Sequence, residues 1–144
     1  MIWDPQQYAR FTGHRLRPAL DLLGRIPIEQ PRTVVDLGCG TGNVTRILRS
    51  RWPQSRITGV DGSSQMLAEA RRAQTDIGWE QSDLAGWNPP EKFDLVYSNA
   101  ALHWLDDHPA LFARLCLTVA AGGALAVQMP RNFGAPSQIG RAHV

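Results

Sequence analysis

The chain has 144 residues, 43% of them hydrophobic, which is enough for one domain with its own core. Its 15 basic and 13 acidic residues give a formal charge of +2 and are scattered along the chain, which argues against a nucleic-acid footprint. Cys39 and Cys116 lie far apart without metal-ligand or redox spacing, so neither a disulfide framework nor a metal site is indicated.

The N-terminus MIWDPQQYARF has no basic start followed by an apolar run, and no stretch approaches the roughly 18 apolar residues of a membrane span. A soluble cytoplasmic protein with no membrane partner is the expectation. Only Lys92 is lysine among the basic residues, and Ala and Gly are abundant, which suggests a gene rich in G and C.

In chain order, Leu16, Leu20, Leu22 and Leu23 with Pro18 in a first turn predict a helix over about residues 15 to 25. A β-branched run, Thr33 to Leu37, predicts a first strand; after a glycine turn, Val44, Ile47, Leu48 and Trp52 recur at helical spacing. Arg56 to Val60 is a second strand, and Ser63 or Ser64 caps a helix through Met66, Leu67, Ala70 and Ala73. Ile77 to Gln81 makes a third strand, and Phe93 to Asn99 a fourth after the Pro89-Pro90 break. Pro109 opens a helix through Leu111, Phe112 and Leu115 that is expected to run to Gly122-Gly123, with Ala124 to Met129 as the fifth strand. Strands alternating with helices predict an α/β fold, a doubly wound, mostly parallel Rossmann-like sheet.

The loop VVDLGCGTGN places Gly38, Gly40 and Gly42 between the first strand and its helix, where backbone N–H groups can approach a ligand. Asp61 ends the second strand, 19 positions after Gly42, as a carboxylate for ribose hydroxyls. Two ligand classes compete here, a nicotinamide dinucleotide and S-adenosylmethionine. The dinucleotide pattern wants glycine where Asn43 stands, and Asp36, two residues before the first glycine, would repel a pyrophosphate and welcome a cation.

DLGCGTGN, GVDGSSQML, SDL at 82 to 84 and SNAALHWL at 98 to 105, in that order, resemble class I S-adenosylmethionine-dependent methyltransferases. The resemblance implies that Asp36, Gly38, Gly40 and Gly42 line the methionine end and that Asp61 binds ribose. Asp83 and Leu84 would flank the adenine, with Asp83 accepting from its amino group. Met66 would contact the adenosine, and Asn99 and Ala100 would lie near the fourth strand's end.

A narrower resemblance, carried by WDPQQYARF, RLRPALDLL, SNAALHWL and GGALAVQMPRN over residues 2 to about 137, is to bacterial carboxyl O-methyltransferases whose acceptor is a small polycarboxylic acid such as trans-aconitate. A carboxylate is ionised at neutral pH and needs no general base, so no catalytic side chain is expected. A polyanionic acceptor needs positive or hydrogen-bonding partners, and Tyr8, Arg15, His103 and Arg131 are the candidates, with Arg10, His14 and Arg17 nearby. Trp3 and Tyr8 belong to an N-terminal lid in this reading. A methyltransferase for an acyl-carrier thioester acid, and a chain that only binds cofactor, stand as alternatives.

The family sheet has seven strands, and only five are readable, leaving the fifth with an unpaired edge or a thin cover, an aggregation liability. The expected organisation is a helical lid at 1–32, an incomplete S-adenosylmethionine-binding domain at 33–138 truncated after the fifth strand, and a tail at 139–144. Read as ATC GGA AGA GCA CAC GTC, the tail Ile-Gly-Arg-Ala-His-Val is a common sequencing adapter followed by its stop, and is expected to be an artefact. The full-length protein is expected to be a monomer and active, the 144-residue chain poorly soluble and inactive.

Overall fold

A computed structural model describes residues 16–129 and the backbone of 138–141. Helix α1 (Arg17–Gly24) begins with proline in its first turn and buries Ala19, Leu20, Leu22 and Leu23. Strand β1 (Thr33–Leu37) leads through the glycine loop into α2 (Asn43–Arg51). Strand β2 (Arg56–Asp61), α3 (Ser64–Ala73) and β3 (Gly78–Gln81) follow, then β4 (Phe93–Asn99), α4 (His108–Cys116) and β5 (Val119–Gln128).

With a last strand β6 (Gln138–Arg141), the strand order is β3-β2-β1-β4-β5-β6, with β1 to β5 all parallel. Alternation along the strands divides the core between the two faces. Val34, Leu95, Ala124 and Ala126 pack with Leu20, Leu23, Leu48 and Trp52; Val35, Val96, Leu125 and Val127 pack with Leu111 and Leu115. Chain order reverses between β1 and β4, and the crevice at the carboxyl ends of those strands is where an open α/β sheet binds its ligand.

Of the expected lid at 1–32, the described part is built into the core. Tyr97 Oη donates to Ala19 O at 3.1 Å, Trp52 Nε1 to Glu29 O at 3.0 Å, and Arg51 donates to Leu23 O and Ile26 O. Arg32 N–H donates to Asp94 Oδ2 at 2.7 Å.

One expectation is corrected. Helix α4 ends at Cys116 and β5 starts at Val119, so Gly122-Gly123 interrupt a strand and do not end the helix. The β4–β5 register shifts between Phe93 and Leu95; Gly122 has φ +78°, and a Cβ on Gly123 would lie 2.5 Å from Asp94 O. The glycines serve a bulge with close backbone approach, which a glycine pair in sequence does not distinguish from a helix stop.

The five parallel strands expected from the sequence are present, and one short segment, overlapping the tail at 139–144, joins their edge. β6 (Gln138–Arg141) pairs antiparallel with β5, matching Ala124 to Arg141 and Val127 to Gln138. An apolar strand's free N–H and C=O groups accept any extended segment in reach by main-chain bonding alone, and four residues carry no period to read. The edge that the sequence reading left open on β5 therefore passes to β6.

Candidate functional site

The loop after β1 turns on three left-handed glycines, Gly38, Gly40 and Gly42, at φ +77°, +57° and +86°. Gly38 and Cys39 N–H groups both donate to Val60 O, at 2.7 and 3.0 Å, which folds the loop toward β2. Gly38 is required twice over, because a Cβ there would also sit 2.3 Å from Ala101 Cβ. Gly42 caps α2 beneath the Trp79 ring, where a Cβ would meet the indole at 2.7 Å.

Asp61 is held by backbone: Gly40 N–H donates to its Oδ2 at 3.0 Å and Ser63 N–H to its Oδ1 at 3.2 Å. Each carboxylate oxygen keeps further acceptor capacity on a fixed orientation. Ser63 Oγ caps α3 by accepting from Met66 N–H at 3.2 Å. Asp83 Oδ1 accepts from Ala85 N–H at 3.1 Å and opens a single 3-10 turn, Leu84–Gly86.

Asp36 is 2% exposed and accepts from Thr45 Oγ1 at 2.8 Å. Burial lifts its pKa to about 7; the Thr45 hydrogen bond works against that rise and the nearby Asp61 charge adds to it.

These elements enclose a cavity of about 950 Å³. Gly38, Gly40, Asp61, Met66, Asp83, Leu84 and Ala100 line it together. Asp36, Gly42 and Asn99 are not among the lining residues. Asn99 Oδ1 is buried and finds no donor among the described residues. Tyr8, Arg15 and Arg131 lie outside the described residues.

His103 sits in the 3-10 turn Leu102–Trp104, its ring 4.5 Å from that of Trp104, which does line the cavity. Burial, and secondarily His108, holds the His103 imidazole below its ordinary pKa. Sequence reasoning missed Gly62, Ser63, Gln81, Ser82, Ala101, Trp104 and Leu105 as lining residues. All but Gln81 lie within the quoted motifs, but membership of a motif does not say which residues face inward. Ala100 has φ +56°, a left-handed conformation costing a non-glycine residue roughly 1–2 kcal/mol.

Among the described residues the lining holds two carboxylates, Asp61 and Asp83, and no arginine or lysine. Such a wall repels a pyrophosphate and suits a ligand with hydroxyls, an amino group and positive charge. The volume lies in the range of about 300–1,000 Å³ usual for cofactor sites. A family model described as a methyltransferase domain matches residues 34–123. The chain belongs to the S-adenosylmethionine-dependent methyltransferases.

This methyltransferase chain is 50% identical over 135 residues to the trans-aconitate 2-methyltransferase of Azoarcus sp. strain BH72, covering 94% of the chain and 53% of that protein. It is 46% identical over 137 residues to the trans-aconitate 2-methyltransferase of Escherichia coli O7:K1 strain IAI39, covering 95% of the chain and 54% of that protein. The chain thus spans about half the length of the curated relatives it matches.

Among solved structures, an S-adenosylmethionine-dependent methyltransferase from Mesorhizobium loti superposes with a TM-score of 0.71 at 35% identity, covering 81% of this chain and 54% of that one. The plantazolicin methyltransferase BpumL, solved in complex with SAH, shares the fold at a TM-score of 0.63 and 16% identity, covering 67% of this chain and 38% of that one. S-adenosylmethionine, expected from the motifs, is the cofactor of the methyltransferase family to which this chain belongs, and the acidic cavity fits it. Among the described residues no helix is long and apolar enough to cross a membrane, and no group of three or more His, Cys, Asp or Glu could hold a metal ion.

Proposed function

We propose that the full-length protein transfers a methyl group from S-adenosylmethionine to a carboxylate of a small polycarboxylic acid, trans-aconitate foremost. The observation that carries this reading is the 50% identity to a trans-aconitate 2-methyltransferase across 94% of the chain.

In this reading Asp61 accepts from the ribose hydroxyls, a role supported by the two backbone N–H groups that aim its carboxylate. Asp83 accepts from the adenine amino group, while Leu84 and Met66 contact the adenosine; all three line the cavity. Gly38, Gly40 and Gly42 bring the loop backbone to the methionine end, Asp36 supplies negative charge behind it, and Asn99 and Ala100 close the β4 side. Bound there, the cofactor supplies an electrophilic methyl on a sulfonium. The protein's task is then alignment, because the acceptor carboxylate is already ionised at neutral pH and attacks in line without a base.

In this reading Tyr8, Arg15, Arg131 and His103 meet the acceptor, because a polyanion needs positive or hydrogen-bonding partners and the described cavity wall is acidic. Burial, and secondarily His108, lowers the His103 pKa, and its ring nitrogens can hydrogen-bond an acceptor carboxylate. The same reading makes the full-length protein a cytoplasmic monomer acting on a small-molecule carboxylate, with no nucleic-acid or membrane partner, and assigns the lid to residues 1–32.

Transfer of a radiolabelled methyl group by the full-length gene product to trans-aconitate, against a panel including acyl-carrier thioester acids, tests the acceptor. A methyl ester of trans-aconitate is the expected product; turnover of another acid with none of trans-aconitate rejects the substrate. For the 144-residue chain alone, which spans 53% of its relative's length, we propose cofactor binding without catalysis. Robust turnover by that chain would overturn this.

A further inference from the structure

The turn Leu84–Gly86 forms one wall of the cofactor cavity and is only three residues long. A lone 3-10 turn has poor hydrogen-bond geometry and little stability of its own. Its internal bonds are modest: Gly86 N–H donates to Asp83 O at 3.1 Å and Trp87 N–H to Leu84 O at 3.4 Å. Something outside the turn must fix where Asp83 and Leu84 stand.

That outside support comes from α4. The Arg114 guanidinium donates through one terminal nitrogen to Ala85 O and through the other to Leu84 O at 3.2 Å. A planar, permanently charged fork on two successive carbonyls sets both position and orientation, which a point charge would not. The helix beneath it is rigidly seated, with Leu111 and Leu115 5% and 1% exposed in the core that also holds Trp87.

Arg114 stands in a neighbouring recess. Asp83 and Leu84 line the 950 Å³ cavity, whereas Ala85 and Arg114 line one of about 380 Å³ that shares Trp104 and Leu105 with it. From that position the guanidinium, committed to backbone carbonyls, is not available to an acceptor carboxylate. Leu84 lies close to the glycine loop, its Cδ1 3.5 Å from where a Cβ on Gly38 would stand.

We infer that Arg114 is a positioning residue for the cofactor: it holds the Leu84–Ala85 carbonyls and thereby sets the distance at which Asp83 and Leu84 meet the base. The inference rests on the reading in which Asp83 accepts from the adenine amino group. It adds a residue that touches neither cofactor nor acceptor.

The test uses the full-length protein and two ligands, S-adenosylhomocysteine and its inosine counterpart, in which an oxo group replaces the adenine amino group. Wild type is expected to bind the adenine form about tenfold more tightly, the value of one well-made hydrogen bond to a charged acceptor. Arg114→Met, which keeps the aliphatic stem, is expected to weaken the adenine form about tenfold and the inosine form less than about threefold, collapsing the ratio. Arg114→Lys restores part of it, and the cofactor KM rises in Arg114→Met while the acceptor KM moves less than about threefold.

A wild-type ratio near one overturns the adenine assignment of Asp83 itself. A clear wild-type ratio that Arg114→Met leaves intact overturns the role of Arg114 alone. Equal weakening of both ligands together with a lowered Tm also overturns it, in favour of a purely structural tie. If Arg114→Met does not fold, the Arg114→Lys ratio is read by the same criteria.

Discussion

The β1–α2 loop and the β4–α4 loop face each other across one crevice, and they are held by different means. The first turns on glycines at positive φ and is tied by backbone bonds to Val60 O and to the Asp61 carboxylate. In the second, the left-handed positions are Ala100 and Asp107, at φ +56° and +50°, and Trp104 stands 76% exposed. The donor side is thus prebuilt from main chain, which any member of a cofactor-sharing family can reuse. The other side carries strain at two non-glycine positions and an exposed aromatic surface.

The comparison breaks most sharply at Gly38. Gly38→Ala adds a methyl 2.3 Å from Ala101 Cβ at φ +77° and should weaken cofactor binding on the order of 100-fold, measured by calorimetry on the full-length protein. Retained affinity would show that the loop is not the rigid partner. Asp61→Asn comes next, with an expected loss of about 1.5–3 kcal/mol in cofactor binding, as for a hydrogen bond to a charged group. An unchanged dissociation constant would remove Asp61 from the donor site.

Asp36 sharpens the comparison through pH. Its pKa rises from the ordinary 3.8 to about 7 on folding, so the native state holds its proton more tightly than the unfolded chain. That contribution is fully present below the unfolded value and is lost as pH climbs to about 7, at roughly 1.4 kcal/mol per pH unit. Asp36→Asn, which can still accept from Thr45, should therefore gain stability relative to wild type between pH 4 and 7, read from Tm. Wild-type affinity for the cationic cofactor should rise with pH through the same region and stay flat in Asp36→Asn.

Smaller effects are expected opposite. Ala100→Gly relieves the positive φ and should raise stability by about 0.5–1 kcal/mol in denaturant unfolding. Trp104→Ala should change stability by less than about 0.5 kcal/mol, since the side chain is already in water, yet raise the acceptor KM by roughly threefold. If Trp104→Ala alters cofactor affinity more than acceptor KM, the division between the two rims is drawn in the wrong place.

Much of the donor side was legible in the sequence because each of its parts is local. Asp61 follows its strand by adjacency, Ser63 caps by spacing, and the glycines declare a turn that only they can make. Where two local meanings share one signature, the reading failed: Gly122-Gly123 signalled a helix end and instead serve a bulge against Asp94 O. Arg114 was passed over because its partners, Leu84 and Ala85, are 30 and 29 residues away and offer only backbone carbonyls, which have no residue type to recognise. The β6 strand was invisible for the same reason, being paired through main chain.

By itself, then, the sequence determined the order of strands and helices, the glycine turn and the carboxylates that end or follow the strands, since these depend on periodicity and conformational freedom within a few residues. Tertiary structure alone decided that Asp36 would be buried to a pKa of about 7, that Trp104 would stand at the cavity wall, and that Arg114 would brace the turn beside Asp83. Those outcomes depend on which surfaces the sheet order β3-β2-β1-β4-β5-β6 brings together, and desolvation and long-range hydrogen bonds exist only once it has done so.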